Sequence, residues 1–223
     1  MKSNMYEGVK TINFLNGKCP HDCVYCSTKS FRYPELKELY SGELRLNENA
    51  FKKNLGKGKI WFVCAQNDLF AKEVPEEFID RVYDRIAEFP DNEYWFQSKN
   101  PERMFGCADV GNEVYGTTIE SDFDYPEIMK NSPTIRERLR WINIIKKAFE
   151  CKMFITVEPI LDFDLEVFVT ALRIACPDWI NIGADSKKHN LPEPSKEKVL
   201  ALIDELKKFT EVRIKSNLQR LIK

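Results

Sequence analysis

Three cysteines within eight residues constrain this chain more than any other feature. Cys19, Cys23 and Cys26 form a C-x3-C-x2-C array in the stretch Gly17-Lys-Cys-Pro-His-Asp-Cys-Val-Tyr-Cys-Ser27. Such spacing gathers three thiolates around one small inorganic centre. Three is the informative number, because a cubane iron–sulfur cluster contains four irons and usually takes four Cys ligands. If no fourth cysteine joins, one iron keeps an open face for a small molecule. A structural zinc site instead takes four N or S ligands, commonly as two closely spaced pairs. No second C-x2-C pair and no H-x3-H pair exists, and the only histidines are His21 and His189. The spacing therefore favours an iron–sulfur centre, with zinc or redox thiols as alternatives. A thiol–disulfide oxidoreductase would use Cys23 and Cys26 but leave Cys19 unexplained.

A chain of 223 residues, 43% hydrophobic and 31% charged, suits one globular domain over 1–223, with the cluster loop at 17–30. No apolar run approaches the ~20 residues needed to cross a bilayer, and the N-terminus lacks the apolar core of a signal peptide. Seven cysteines, an odd number, point to reduced thiols and a cytoplasmic location. A net charge of −1 argues against a polyanion binder by charge alone. From Ser186 to the end, however, ten Lys and Arg stand against five Asp and Glu.

Predicted strands alternate with predicted helices. Residues 10–16, 59–65, 93–98, 114–119, 153–157 and 179–183 are apolar or β-branched runs that end in polar or acidic tips, and 211–215 is a final candidate. Pro34 opens a short helix, and Asn47 caps another to residue 55. Pro75 starts a helix that Pro90 stops, and Ser132-Pro133 starts one that runs to residue 150. A helix from residue 164 stops near Pro177, and Ser195 caps the last. Alternation of this kind builds a parallel sheet with right-handed crossovers, and polar strand ends line one rim of a parallel barrel. A closed eight-fold barrel usually takes about 250 residues. Six units in 223 residues therefore predict an open, partial (βα)6 TIM-like barrel of parallel strands, an α/β fold. A doubly wound sheet is the alternative on pattern alone.

Tyr25 completes the pattern C-x3-C-x-aromatic-C. With it the chain resembles the radical S-adenosylmethionine (radical SAM) superfamily. The resemblance implies the partial barrel, a [4Fe–4S] cluster on Cys19, Cys23 and Cys26, and S-adenosylmethionine chelated to the open iron through its amino and carboxylate groups. It implies one-electron chemistry. An external donor such as flavodoxin or ferredoxin reduces the cluster, the C5′–S bond breaks, and a 5′-deoxyadenosyl radical abstracts hydrogen from substrate; the cofactors carry the hard step. The middle of the chain is similar to a phage-associated family of small radical-SAM-like proteins. That likeness lies in Asn67-Asp68-Leu69-Phe70, Ser98-Lys99-Asn100-Pro101-Glu102-Arg103-Met104, Gly116-Thr117-Thr118-Ile119-Glu120, Thr156-Val157-Glu158-Pro159 and Trp179-Ile180-Asn181-Ile182-Gly183. Two positions depart from it: Lys215-Ser216 stands where Lys-Gln is usual, and Asp185 where a Glu is usual.

The resemblance assigns cofactor binding to Tyr25, Asn67, Asp68, Ser98, Lys99, Thr118, Glu120, Arg136 and Glu158. Asp68 receives the cofactor ammonium group, or is a helix cap or loop acid. Lys99 pairs with the cofactor carboxylate, or is a plain surface lysine. Thr118 and Glu120 hold the ribose hydroxyls, or Glu120 is a structural rim acid. Arg136 and Arg138 lie early in a helix, where the dipole disfavours cations; they answer an acid, or lie on a solvated face. Cys64, on a strand near the rim, is the catalytic candidate, returning a hydrogen atom as in the spore photoproduct lyase branch; the alternative, shared with Cys107, Cys151 and Cys176, is a small buried apolar residue. Asp122 and Asp124 form a divalent-metal site or a solvated loop. Lys187 and Lys188 after the sixth strand would emerge at the cluster rim and suit a nucleic acid substrate, although the tail's alternating charges also fit a solvated face. The competing function is a metal-bearing interaction protein, with zinc or a cluster held for structure and no turnover.

Overall fold

The computed structural model describes residues 8–107 and 111–223. The strands are β1 (Val9–Ile12), β2 (Leu15–Asn16), β3 (Arg45–Leu46), β4 (Ile60–Val63), β5 (Glu93–Gln97), β6 (Glu113–Thr118), β7 (Lys152–Val157), β8 (Trp179–Ile182) and β9 (Glu211–Ile214). The helices are α1 (Pro34–Leu39), α2 (Glu48–Phe51), α3 (Glu76–Ala87), α4 (Pro126–Met129), α5 (Ile135–Phe149), α6 (Leu165–Ala175), α7 (Lys196–Leu206) and α8 (Gln219–Ile222). Seven strands form one sheet in the order β1-β4-β5-β6-β7-β8-β9, with every pairing parallel. Residues of β1 and of the segment after β9 line one cavity, so the sheet curls into a half-barrel and leaves its two edge strands unjoined. This is the partial barrel that the strand–helix alternation predicts.

Strand alternation divides the core in two. Trp61, Val63, Tyr94, Phe96, Tyr115, Ile155, Ile180 and Ile182 point outward into the main core beneath the helices. Phe62, Trp95, Val114, Phe154 and Trp179 point inward and form a separate cluster inside the half-barrel. The Phe154 ring stacks on Trp179 at 5.2 Å and 9°, and Trp95 lies 5.1 Å from Trp179. Gly116 makes this floor possible: a Cβ there would stand 2.3 Å from the Phe154 ring.

Local structure departs from the sequence reading at three places. The first predicted strand divides: β1 joins the sheet, whereas β2 pairs antiparallel with β3. Asn13 lies between them and bonds Asn47 Nδ2 through its carbonyl and Gln66 N through its side chain, which turns the chain away. Asn47 stands before α2, but its amide serves Asn13 instead of capping the helix. The cap of α5 is Thr134, with Glu137 completing a reciprocal capping box, one residue beyond Pro133. Ser195 caps α7 as predicted, accepting from Lys198 N at 3.3 Å. No helix among the described residues is long and apolar enough to cross a membrane; residues 1–7, read above for a leader, lie outside the described part.

Candidate functional site

At the C-terminal ends of the strands lies a cavity of about 510 Å³, within the usual range for small-molecule sites. Its inner wall carries hydroxyl and amide groups, Thr11, Gln97, Thr118 and Thr156, above the aromatic floor at Phe62. These groups are linked across strands. Asn181 Nδ2 donates to Thr156 Oγ1 at 3.3 Å, Thr156 Oγ1 to Gln97 Oε1 at 3.1 Å, and Gln97 Nε2 to Thr118 Oγ1 at 2.8 Å. The rim is charged, with Lys99, Glu158, Asp185, Lys187 and Lys215. Glu158 is gripped by Lys215 Nζ and by Asn217 Nδ2, the latter at 2.6 Å. Gly183 leaves room for this grip, since a Cβ there would lie 2.7 Å from the Glu158 carboxyl carbon.

The cysteine loop closes one side of the cavity through Tyr25, Cys26 and Ser27. It is anchored from several directions. Gly17 starts it at φ +95°, with the Glu43 carbonyl 2.2 Å from where a Cβ would sit, so only glycine fits. From the end of β4, Asn67 Nδ2 donates to Gly17 O at 3.0 Å, and Asp68 Oδ2 meets His21 Nε2 at 2.8 Å. From the corner between α4 and α5, Ile128 O accepts from Val24 N at 2.9 Å, and Asn131 donates N–H groups to His21 O at 3.1 Å and Pro20 O at 3.0 Å. Cys23 Sγ lies 3.5 Å from Ser132 Oγ.

All seven cysteines are unpaired. Burial, and then the neighbouring Asp68 charge, push the Cys19 thiol up to about 12, so a metal must displace its proton. No three His, Cys, Asp or Glu side chains among the described residues converge as ligands of one ion. A cubane distributes its cysteines over separate irons and does not need such convergence. Three thiols on one loop match in number a cluster that keeps one iron open, whereas a structural zinc ion takes four N or S ligands.

Behind the wall lies a buried charge cluster. Glu120 is fully buried. Its Oε2 accepts from Arg138 Nη1 at 2.7 Å, its Oε1 accepts from the Tyr25 hydroxyl, and Lys99 Nζ stands 3.6 Å from Oε1. Burial opposes the Glu120 charge, but Arg138, Lys99 and the Tyr25 hydroxyl more than offset it, and the carboxyl is held below its ordinary value. Arg138, also fully buried, reaches Thr118 O at 3.0 Å and Pro133 O at 2.8 Å. Lys99 Nζ lies 5.3 Å over the Tyr25 ring.

Of the residues expected to bind cofactor, Tyr25, Lys99, Thr118 and Glu158 line the cavity, whereas Asn67, Asp68, Ser98 and Glu120 stand behind it. Asp68 is saturated: it accepts from Phe70 N, Lys99 N and His21, with Ser98 also bonded to it, and these contacts offset burial and hold its carboxyl below the ordinary value. It ties the ends of β4 and β5 to the cysteine loop. Arg136 is exposed on α5, and Arg138, two residues on and turned inward, is the residue that answers an acid. Cys64 leaves the rim altogether. By alternation with Phe62 it would face inward, but its φ of 56° turns the side chain into the outer core, where it is buried against the backbone of Phe14 and Leu15. Asp124 accepts from Ile135 N and Asp122 from Asp164 N, so both acids hold helix entries. Gln97 is legible in the sequence only as a strand residue, and Thr156 and Asn181 only as members of the motifs that carry the likeness, without a role; their shared inward face follows from the register. Asn131 carried no sequence signal at all.

A family model for a protein of unknown function (DUF5131) matches residues 18–204. The chain belongs to that family. Among curated proteins none matches it. In fold it is similar to a spore photoproduct lyase variant with bound S-adenosylmethionine and dinucleoside spore photoproduct, at TM-score 0.67 and 12% identity, over 92% of this chain and 75% of that one. It is similar to methylornithine synthase (PylB) at TM-score 0.58 and 13% identity, over 92% of this chain and 63% of that one. It also resembles Streptococcus suis SuiB bound to S-adenosylmethionine, at TM-score 0.56 and 8% identity, over 93% of this chain and 49% of that one. The half-barrel is thus the fold of radical SAM enzymes.

Proposed function

We propose that this chain is a radical SAM enzyme. One observation carries the reading: a loop that holds three unpaired thiols is anchored against a cavity at the C-terminal rim of a half-barrel and closes one side of it through Tyr25, Cys26 and Ser27. The cluster with bound S-adenosylmethionine supplies a 5′-deoxyadenosyl radical for hydrogen abstraction. The protein's part is to bind, orient and exclude water. The Tyr25 ring and Lys99 form the wall beside the cysteine loop, and Lys99 is a cation for a ligand carboxylate. Thr118, held by Gln97, offers its hydroxyl proton to a ligand oxygen. Glu158 offers a carboxylate that Lys215 and Asn217 keep oriented. Free thiols throughout support a cytoplasmic location.

The same reading takes a nucleic acid as substrate. The cavity suits one small molecule, so with cofactor bound a substrate enters only in part, and the remainder lies on the rim. There Ser186, Lys187 and Lys188 are exposed, and Lys187 borders the cavity. The dinucleoside photoproduct held by the similar lyase supports this substrate class.

Anaerobic reconstitution tests the enzyme. About four irons per chain and 5′-deoxyadenosine formed with dithionite are expected, and both should disappear in Cys23→Ala. Zinc in the purified protein with no S-adenosylmethionine binding would favour the interaction protein instead. A gel-shift titration tests the substrate: oligonucleotide binding should fall steeply as salt rises and weaken in K187E/K188E. Absence of binding at low salt, with cofactor present, removes the nucleic acid.

A further inference from the structure

The cysteine loop has a second opening. Cys26 borders the main cavity, yet Cys26 and Cys19 together also line a separate hollow of about 270 Å³ on another face of the loop. Lys18, Lys29 and Lys37 stand around this hollow, with Asp22 as the single acid among its lining residues. Lys18 and Lys29 share Asp22, at 3.1 and 2.7 Å, so positive charge remains in excess at the edge. Beside it α1 shows an apolar face to solvent. Tyr33 is 69% exposed and Leu36 37% exposed. Helical geometry puts Tyr33, Leu36 and Lys37 on one side of α1 and Glu35 with Glu38 on the other. An exposed aromatic and an aliphatic residue beside lysines have the make-up of a protein interface, with an apolar centre and a charged rim.

We propose that this face receives the electron donor, an acidic one-electron carrier protein of the flavodoxin or ferredoxin type. The inference rests on the radical SAM reading and adds where the electron enters. The main cavity is the place of cofactor and substrate, so a carrier protein cannot use it during turnover. The second hollow reaches the same loop thiols from outside. One electron leaves the reduced carrier and passes toward the loop that holds the cluster. The carrier is left oxidised by one electron, and no bond is made or broken. Lysines at the edge steer the acidic partner and set its orientation, while Tyr33 and Leu36 supply the contact that excludes water.

The test uses the full chain with flavodoxin as probe. Two variants lie off the cysteine loop: Y33S/L36S/K37E removes the apolar contact together with one charge, and K37E changes only charge. Calorimetric titration with flavodoxin, on protein before and after reconstitution, reads binding without turnover. Both variants should raise Kd about ten-fold or more, and wild-type binding should weaken as salt rises. The flavodoxin-driven rate of 5′-deoxyadenosine formation should fall in parallel, whereas the dithionite-driven rate should match wild type, because dithionite needs no docking face. Wild-type affinity in both variants overturns the proposal, as does a wild-type chain that binds neither flavodoxin nor ferredoxin at low salt. A wild-type chain that binds flavodoxin but yields no 5′-deoxyadenosine with dithionite refutes the enzyme reading and leaves the docking face standing.

Discussion

Arg138 is charged, fully buried and close to the start of a helix, and each of these circumstances disfavours it. Glu120 is the compensation, and through it Arg138 is tied to the Tyr25 hydroxyl in the cysteine loop. Glu120→Gln alone would leave a buried guanidinium unpaired, at a cost of about 3–5 kcal/mol, read as a lower Tm. Replacing both partners, in E120Q/R138M, should recover most of that loss. Glu120 lies behind the cavity wall, so on the radical SAM reading proposed above its effect on cofactor affinity should pass through Tyr25. The affinity losses of Y25F and E120Q/R138M are then expected to overlap in the triple variant; fully additive losses would mean that Glu120 touches the ligand. The pair also sets an acid limb. A carboxyl that ordinarily titrates at 4.5 is held lower in the folded chain, so its contribution is present above that value and lost as pH falls through the folded one. Chemical denaturation of E120Q/R138M below pH 4.5 should show a shallower loss of stability than wild type.

At the scale of elements, β6 shows how one residue type shapes the site. Gly116 has no side chain, so the Phe154 ring fills the space beside it, and Gln97 extends from the neighbouring strand to bond both Thr118 and Thr156. Gly116→Ala should cost about 1–3 kcal/mol by overpacking, measured by urea denaturation, and should loosen ligand binding as the floor rises. An unchanged midpoint would mean that the Phe154 ring moves aside freely. Asn131, at the α4–α5 corner, holds Pro20 and His21 of the cysteine loop. Asn131→Ala removes one side-chain hydrogen bond, worth about 0.5–1.5 kcal/mol, and should speed iron loss to a chelator more than it lowers Tm.

Apart from the short β2–β3 pair, the strands of the described residues form one sheet with helices packed on its outer face, and a single main core runs from Ile12 to Leu218. The chain without metal should therefore unfold in one cooperative transition, with near- and far-ultraviolet dichroism changing together; two separated transitions would divide the chain into independent units. The unjoined edges β1 and β9 leave the half-barrel open at its side, and the exposed lysines stand at the rim of that same cavity.

Periodicity alone determined a parallel sheet with right-handed crossovers, because apolar runs alternating with amphipathic helices have few other ways to bury both patterns; between a half-barrel and a doubly wound sheet the pattern left a choice that the curl of the tertiary structure decided. Spacing alone determined the three-thiol loop, because residues within eight positions are bound to be close. Tertiary structure decided which polar residues meet the cavity. Lys99 and Glu158 border it, while Asp68 and Glu120, equally polar and equally near strand ends, are turned behind the wall by partners 47 and 18 residues away. Cys64 shows the same limit one residue past the end of β4: the alternation leading to it is readable, but the left-handed turn that reverses its direction goes with contacts to Phe14 and Leu15, far off in sequence. A residue's type and period are local properties; the direction of a side chain at a strand end depends on what the rest of the chain brings to it.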